Sequence, residues 1–275
     1  MPSPARVLTT VALVAVAGAG GLLGARWVGD ALSDPSCEFT VAEASETTTP
    51  ERAANASTIA WQSVERGLPP RAASIAIATA IQESKLENIN YGDADSIGLF
   101  QQRPSQGWGT VEEIMDPVYA TNAFYNGLVE IDGWQDGVIT EVAQSVQRSA
   151  FPTAYADHEP EGRVMASALT GETTAAVTCD LDAPTAAGDA SALAAELEAL
   201  GMQATATGAN EVTATSNSTS ESWAIAGWAV THAQGRQITS VTSGDLIWSR
   251  DDNPDTWSRH APAQDEATVT IVVAS

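Results

Sequence analysis

The feature that most restricts how this chain can fold is its pair of cysteines, Cys37 and Cys179, the only two in the sequence. No C-x-x-C spacing is present, so zinc ligation and dithiol redox chemistry lack their usual signature. If the two sulfurs pair, they close a loop of about 140 residues, which the chain-entropy model values at roughly 5 kcal/mol. Such a bridge staples two ends of a folded unit together. Pairing requires an oxidising compartment, and the N-terminus shows how the chain would reach one. Residues 7 to 25, "VLTTVALVAVAGAGGLLGA", carry no charge, and at ~1.5 Å per residue a helix of that length nearly crosses a hydrocarbon core of ~30 Å.

Arg6 favours a cytoplasmic N-terminus for residues 1–6, and Arg26 on the far side weakens that bias. The expectation is an uncleaved, single-pass anchor over residues 7–28, with the bulk of the chain outside the cell membrane. No small-x-small site follows a short apolar core, although a cleaved signal peptide and secretion remain the alternative. Either way the rest of the chain is exported.

With 275 residues there is room for one large or two modest domains. A formal charge of -23 with 12 Lys and Arg together argues against a nucleic-acid partner, which needs a clustered basic face. Acidity names no other partner.

Residues 29–49 read as a polar spacer ending in "SETTTP". Thr49-Pro50 then offers an N-cap with proline at the first helical position, and apolar spacing carries that helix through Ala53, Ala60 and Val64 to Gly67. Pro70 opens a second helix through Ile75, Ile77 and Ile81 toward Leu86. Asn88 to Gly109 is loop-rich. "TVEE", from Thr110, fits a capping box, Asp116-Pro117 starts a helix with Ala120, Phe124 and Leu128 on one face, Thr140 caps another, and Pro160 opens a last one. Residues 50–172 are therefore expected to be mainly α. Residues 173–190 read as a linker within the aperiodic stretch Thr170 to Ser191, and residues 191–275 as a small α+β unit: a helix from Ala192 to Leu200, another from Trp223 to Gln234, and β-branched strands such as "ATVTIVV".

Glu83 sits at the C-terminal end of the second helix, where the macrodipole disfavours a carboxylate. Apolar neighbours would add desolvation of the same sign, so both effects push its pKa up, as a general acid at neutral pH requires. Asp93 and Asp95, in the following loop, are candidate second acids for a two-carboxylate glycosidase mechanism. "DADSIG" fails as a calcium loop, because position 12 holds Pro104 where a bidentate Glu is needed. His158, His232 and His260 show no ligand spacing, so no metal site and no cofactor are expected. The aromatic rings of Tyr91, Trp108 and Tyr125 are candidates to cover the apolar faces of sugars.

The order Glu83-Ser84, a loop, then Ser96-Ile97-Gly98-Leu99-Phe100-Gln101 resembles the soluble lytic transglycosylase and goose-type lysozyme branch of the lysozyme-like superfamily, over about residues 50 to 172. "DPVYATNAFYNGL" extends the likeness, and the wording is closer to exported actinobacterial forms. The resemblance implies a mainly α lysozyme-like domain acting on peptidoglycan glycan strands. Glu83 would protonate the glycosidic oxygen between N-acetylmuramic acid and N-acetylglucosamine, while Ser96 and Gln101 shape the cleft and Tyr155 joins it. One acid suffices in such transglycosylases, because the sugar's C6 hydroxyl attacks and leaves a 1,6-anhydro end. The family's Tyr-Asn-Ala-Gly turn is absent; Gln147, Arg148 and Ser149 stand near its place. That departure keeps open a second reading, a non-catalytic wall-binding or assembly module. Trp228, Ile247, Trp248 and Trp257 match, more loosely, an actinobacterial accessory domain found beside cell-wall peptidases. A third reading, an exported adaptor acting through this tail, leaves the Glu-Ser and Gly-Leu-Phe-Gln pairing to coincidence.

Overall fold

The computed structural model describes residues 34–147 and 155–275. The expected anchor at 7–28, and Arg148 and Ser149, lie outside these. Among the described residues no helix is long and apolar enough to cross a membrane.

The chain enters through β1 (Ser36–Val41), turns at Ala42 with φ 53°, and returns as β2 (Ala44–Thr48). Cys37 and Phe39 point inward from β1 while Glu38 and Thr40 point out, the alternation of a half-buried strand. Thr49 caps α1 (Pro50–Glu65), accepting from the Arg52 N–H at 3.4 Å, with Pro50 in the first turn. The next helix, α2 (Pro70–Ser84), is buried without a break from Ala72 to Ile81. A helix apolar on every side belongs at the centre of a core.

The loop after α2 holds a short 3-10 turn at Pro104–Gln106 and leads to α3 (Val111–Ile114), which starts on the expected capping box of Thr110 and Glu113. Then come α4 (Pro117–Val129), capped by Asp116, and α5 (Ile139–Gln147). Thr140, expected as a cap, lies one residue inside α5. A 3-10 turn at Ala156–His158 feeds α6 (Glu159–Leu169), which packs along α2. The two helices touch at Gly162, where an added Cβ would stand 2.9 Å from the Ser74 carbonyl and 3.0 Å from the Ala78 Cβ.

From α6 the chain passes to β3 (Val177–Asp180), which lies antiparallel to β1 with Cys37 opposite Cys179. The two cysteines form a disulfide. β1 is therefore the middle of a three-stranded sheet in the order β2-β1-β3. The remainder comprises α7 (Ala190–Ala199), β4 (Gln203–Ala206), β5 (Glu211–Thr215), α8 (Thr219–Thr231), α9 (Ala233–Arg236), β6 (Ile238–Ser243), β7 (Leu246–Ser249), β8 (Ser258–Arg259) and β9 (Thr268–Val273). Its six strands form one antiparallel sheet in the order β4-β5-β9-β6-β7-β8. α7 and α8 cover the face carrying Val212, Ala214, Val241, Val269 and Ile271.

The expectation of a mainly α fold is therefore corrected: the described protein is mixed α and β, with two antiparallel sheets. The first sheet forms within the stretches read as spacer and linker. Its strands have six, five and four residues, too few for alternation to stand out against Ser and Thr, and β1 meets its partner β3 far along the sequence. The low-complexity stretch "TSNSTSES", which reads as a loop, likewise conceals the start of α8, capped by Ser218.

α8 is buried from Ser222 to Thr231 and packs on α1 as well as on its own sheet. Three indoles tie these parts together. Trp61 donates to the Leu200 carbonyl at 2.7 Å, Trp257 donates to the Val177 carbonyl at 2.8 Å, and Trp223 meets the Trp257 ring edge to face at 5.0 Å. Pro35 to Ser275 is a single compact unit.

Candidate active site

α2 ends abruptly because Lys85 and Leu86 both adopt left-handed backbone, φ 58° and 61°. Neither is glycine, so the geometry costs energy that surrounding contacts must offset. Ser84 supplies one of them: its hydroxyl donates to the Leu99 carbonyl at 2.7 Å. The Glu-Ser pair thereby locks the helix end to the "SIGLFQQ" turn. Within that turn Ile97 and Gln102 exchange backbone hydrogen bonds, both at 3.0 Å, and Gly98 takes φ 77°. Gly98 is required twice, by that dihedral and by the Ile114 carbonyl, 2.7 Å from where a Cβ would stand. Leu99 and Phe100 point into the core, where Phe100 stacks on Phe124 at 4.8 Å.

Glu83 is half-buried at this junction. Tyr155 donates its hydroxyl to Glu83 Oε1 at 2.6 Å, and His158 Nε2 lies 3.0 Å from Gln82 Oε1, so the turn before α6 grips the last residues of α2 at two points. Gln147, at the end of α5, donates its amide to the Phe100 carbonyl at 2.7 Å. Burial raises the Glu83 pKa, and hydrogen bonding from Tyr155 and Gln147 opposes it without cancelling it. The carboxyl is thus biased toward its protonated, proton-donating form.

The other residues singled out in the sequence separate into groups. Tyr155 joins Glu83 directly, its body buried and its hydroxyl on the acid. Ser96 is buried in the turn, with its backbone N–H on the Asp93 carbonyl at 3.0 Å. Gln101, φ 48°, turns its amide onto the carbonyls of Tyr91 and Gly98, both at 3.3 Å. Tyr91 is 68% exposed, free to meet a ligand, and Trp108 is partly buried against the core. Tyr125 stands apart: it is fully buried and donates its hydroxyl to the Ile59 carbonyl of α1 at 2.9 Å. It is a core residue bracing α4 to α1.

The two loop aspartates differ. Asp93 is exposed, whereas Asp95 accepts from Arg103 Nε at 2.7 Å and from the Ser105 N–H and hydroxyl at 2.8 and 2.9 Å. These donors hold the Asp95 carboxyl well below the usual carboxylate range. It braces the loop, and its donors favour the ionised form. Among the described residues no group of His, Cys, Asp and Glu has the arrangement to hold a metal ion.

Gln147 is the contact that sequence reasoning left unassigned. Its signals are its place near the missing Tyr-Asn-Ala-Gly turn and its position beside buried Val146 on α5, and neither aims it at Glu83. In the C-terminal part Trp228 and Trp248 are fully buried, and Trp248 donates to the Pro254 carbonyl at 2.9 Å. Neither a family model nor a curated protein sequence matches the chain.

Proposed function

We propose that the protein is an exported, membrane-anchored enzyme that cleaves peptidoglycan glycan strands, with Glu83 as its single general acid. The observation that carries this reading is the Glu83 carboxyl itself: half-buried, raised in pKa by desolvation, and held by the Tyr155 hydroxyl at 2.6 Å. The motif resemblance of residues 50 to 172 supplies the substrate class.

In the proposed step Glu83 gives its proton to the bridging oxygen as the C1–O bond breaks. The sugar's own C6 hydroxyl then attacks C1 and returns a proton to the Glu83 carboxylate, which leaves a 1,6-anhydro end and restores the acid. With Asp95 committed to Arg103 and Ser105, a one-acid route suits this loop better than a two-carboxylate one. The uncharged run at 7–25 would hold the enzyme against the wall from the membrane side, countering the weak attraction between an acidic protein and an anionic polymer.

A second reading, a wall-binding or assembly module without activity, is favoured by one observation: the Tyr-Asn-Ala-Gly turn is absent, and Gln147 stands near its place. A gel-clearing assay separates the two. The exported portion clears peptidoglycan and Glu83→Gln does not, and product ends lack one water. Equal clearing by both proteins rules out Glu83; no clearing, with both proteins pelleting on insoluble wall, selects the binding module.

A further inference from the structure

We propose that a cavity of about 580 Å³, between the starts of α1 and α4 and the junction of α8 with α9, binds a small organic cation with an apolar body, which donates to His232 Nε2. Its volume falls in the ~300–1,000 Å³ range of small-molecule sites, and it shares no residue with the Glu83 junction. Pro50, Ala54, Pro117, Val118 and Leu200 provide apolar wall.

The polar lining selects the ligand's charge and hydrogen-bonding sense. Several of its donors are already engaged, and the unpartnered Trp228 Nε1 is buried, with almost no surface to offer a ligand. Asn55 Nδ2 donates to the Leu86 carbonyl at 2.8 Å, Thr58 to Ala54 at 3.1 Å, and Thr231 to Gly227 and Trp228 at 3.0 Å. Arg236 places Nε and Nη2 on the two Glu196 oxygens at 2.5 and 2.6 Å. Most of what remains accepts: the Asn55 carbonyl oxygen, the Glu51 carboxylate, and the second oxygen of Asp116, whose first caps α4. Arg236 cancels Glu196, and the exposed carboxylates of Glu51 and Asp116 outweigh the partial positive charge, about +0.5 each, of the α1 and α4 N-termini beside them, so the cavity mouth is negative. A carboxylate or phosphate ligand would be repelled, and a neutral polyol would forgo that attraction.

His232 gives the site its anchor. Its ring stacks on Trp228, centroids 3.8 Å apart and planes 13° from parallel. Nδ1 lies 2.8 Å from the Trp228 carbonyl, and a carbonyl can only accept, so Nδ1 carries the proton. Burial holds the ring's pKa down at about 4, leaving it neutral at pH 7 with Nε2 as a lone-pair acceptor. A neutral imidazole can lie beside a cation without repulsion.

The test uses three probes with one apolar body: benzylammonium, benzyl alcohol and benzoate, titrated against the ¹⁵N-labelled protein while the His232 imidazole resonances are followed. Benzylammonium should shift Nε2 saturably and weaken with added salt, benzyl alcohol should bind about tenfold or more weakly, roughly 1.4 kcal/mol, and benzoate should not bind. His232→Phe, which keeps the stack, and the exposed Glu51→Gln should each weaken benzylammonium binding, with thermal melts checking that the variants fold. No shift with benzylammonium, equal binding of the three probes, or unchanged binding by folded His232→Phe and Glu51→Gln would overturn the proposal.

Discussion

The behaviour of Glu83 follows from opposing local forces, and their signs can be tested one at a time. Desolvation raises its pKa above the ordinary 4.5, so the protonated form contributes stability that is complete below the unfolded value and is lost as pH rises through the folded one. Glu83→Gln mimics the neutral acid and should therefore melt at least as high as wild type near pH 7, with the advantage shrinking near pH 4; a variant clearly less stable at neutral pH would contradict the burial argument. Tyr155 acts the other way, since its hydroxyl favours the charged form. Tyr155→Phe should raise the Glu83 pKa further, move the alkaline limb of the pH–rate profile to higher pH, and slow the plateau by about tenfold. A limb that stays in place would show that the hydroxyl does not bear on the acid. Motif order singles out Glu83, Ser96 and Gln101 in the sequence, and the structure places Ser96 and Gln101 in the turn that Ser84 ties to the end of α2. The resemblance names Tyr155 for the cleft, but its hydroxyl contact with the acid, like the approach of Gln147, depends on the path of the chain, and Tyr125, for which core packing is the plainer account, is fully buried.

Among the elements, the close approach of α6 to α2 depends on one missing side chain. Gly162→Ala would push a methyl to within 3.0 Å of α2 backbone and side-chain atoms, and overpacking of this kind costs about 1–3 kcal/mol. Urea titration should register that loss, and an unchanged midpoint would mean that the helices separate freely. Helices were the readable part of this fold. Pro50, Pro70 and Pro117 open three of them where expected, and the Thr110–Glu113 box opens a fourth. The sheet β2-β1-β3 was hidden because its pairing joins residues far apart in sequence, and "ASETT" carries no apolar alternation of its own. A capped helix announces itself locally; such strands do not.

For the whole molecule, the disulfide joins β1, ahead of α1, to β3, after α6, and so encloses the candidate active site within one covalent loop. Replacing Cys37 and Cys179 together by alanine should cost about 2–5 kcal/mol, read as a lower denaturation midpoint; equal stability with and without the bridge would show that the sheet holds by pairing alone. Arg250 gives a second tie, donating from its buried guanidinium to the carbonyls of Asp182, Ala233 and Ile238 and so pinning the segment after β3 to the second sheet. These ties brace the sheets around the helices, while the proposed proton-donating role of Glu83 rests on the contact of the Tyr155 hydroxyl with its carboxyl. That role is tested most directly by an NMR pH titration of the Glu83 carboxyl carbon, assigned with Glu83→Gln. The account predicts a midpoint clearly above the ordinary 4.5; a midpoint at or below it would contradict a general acid at this position.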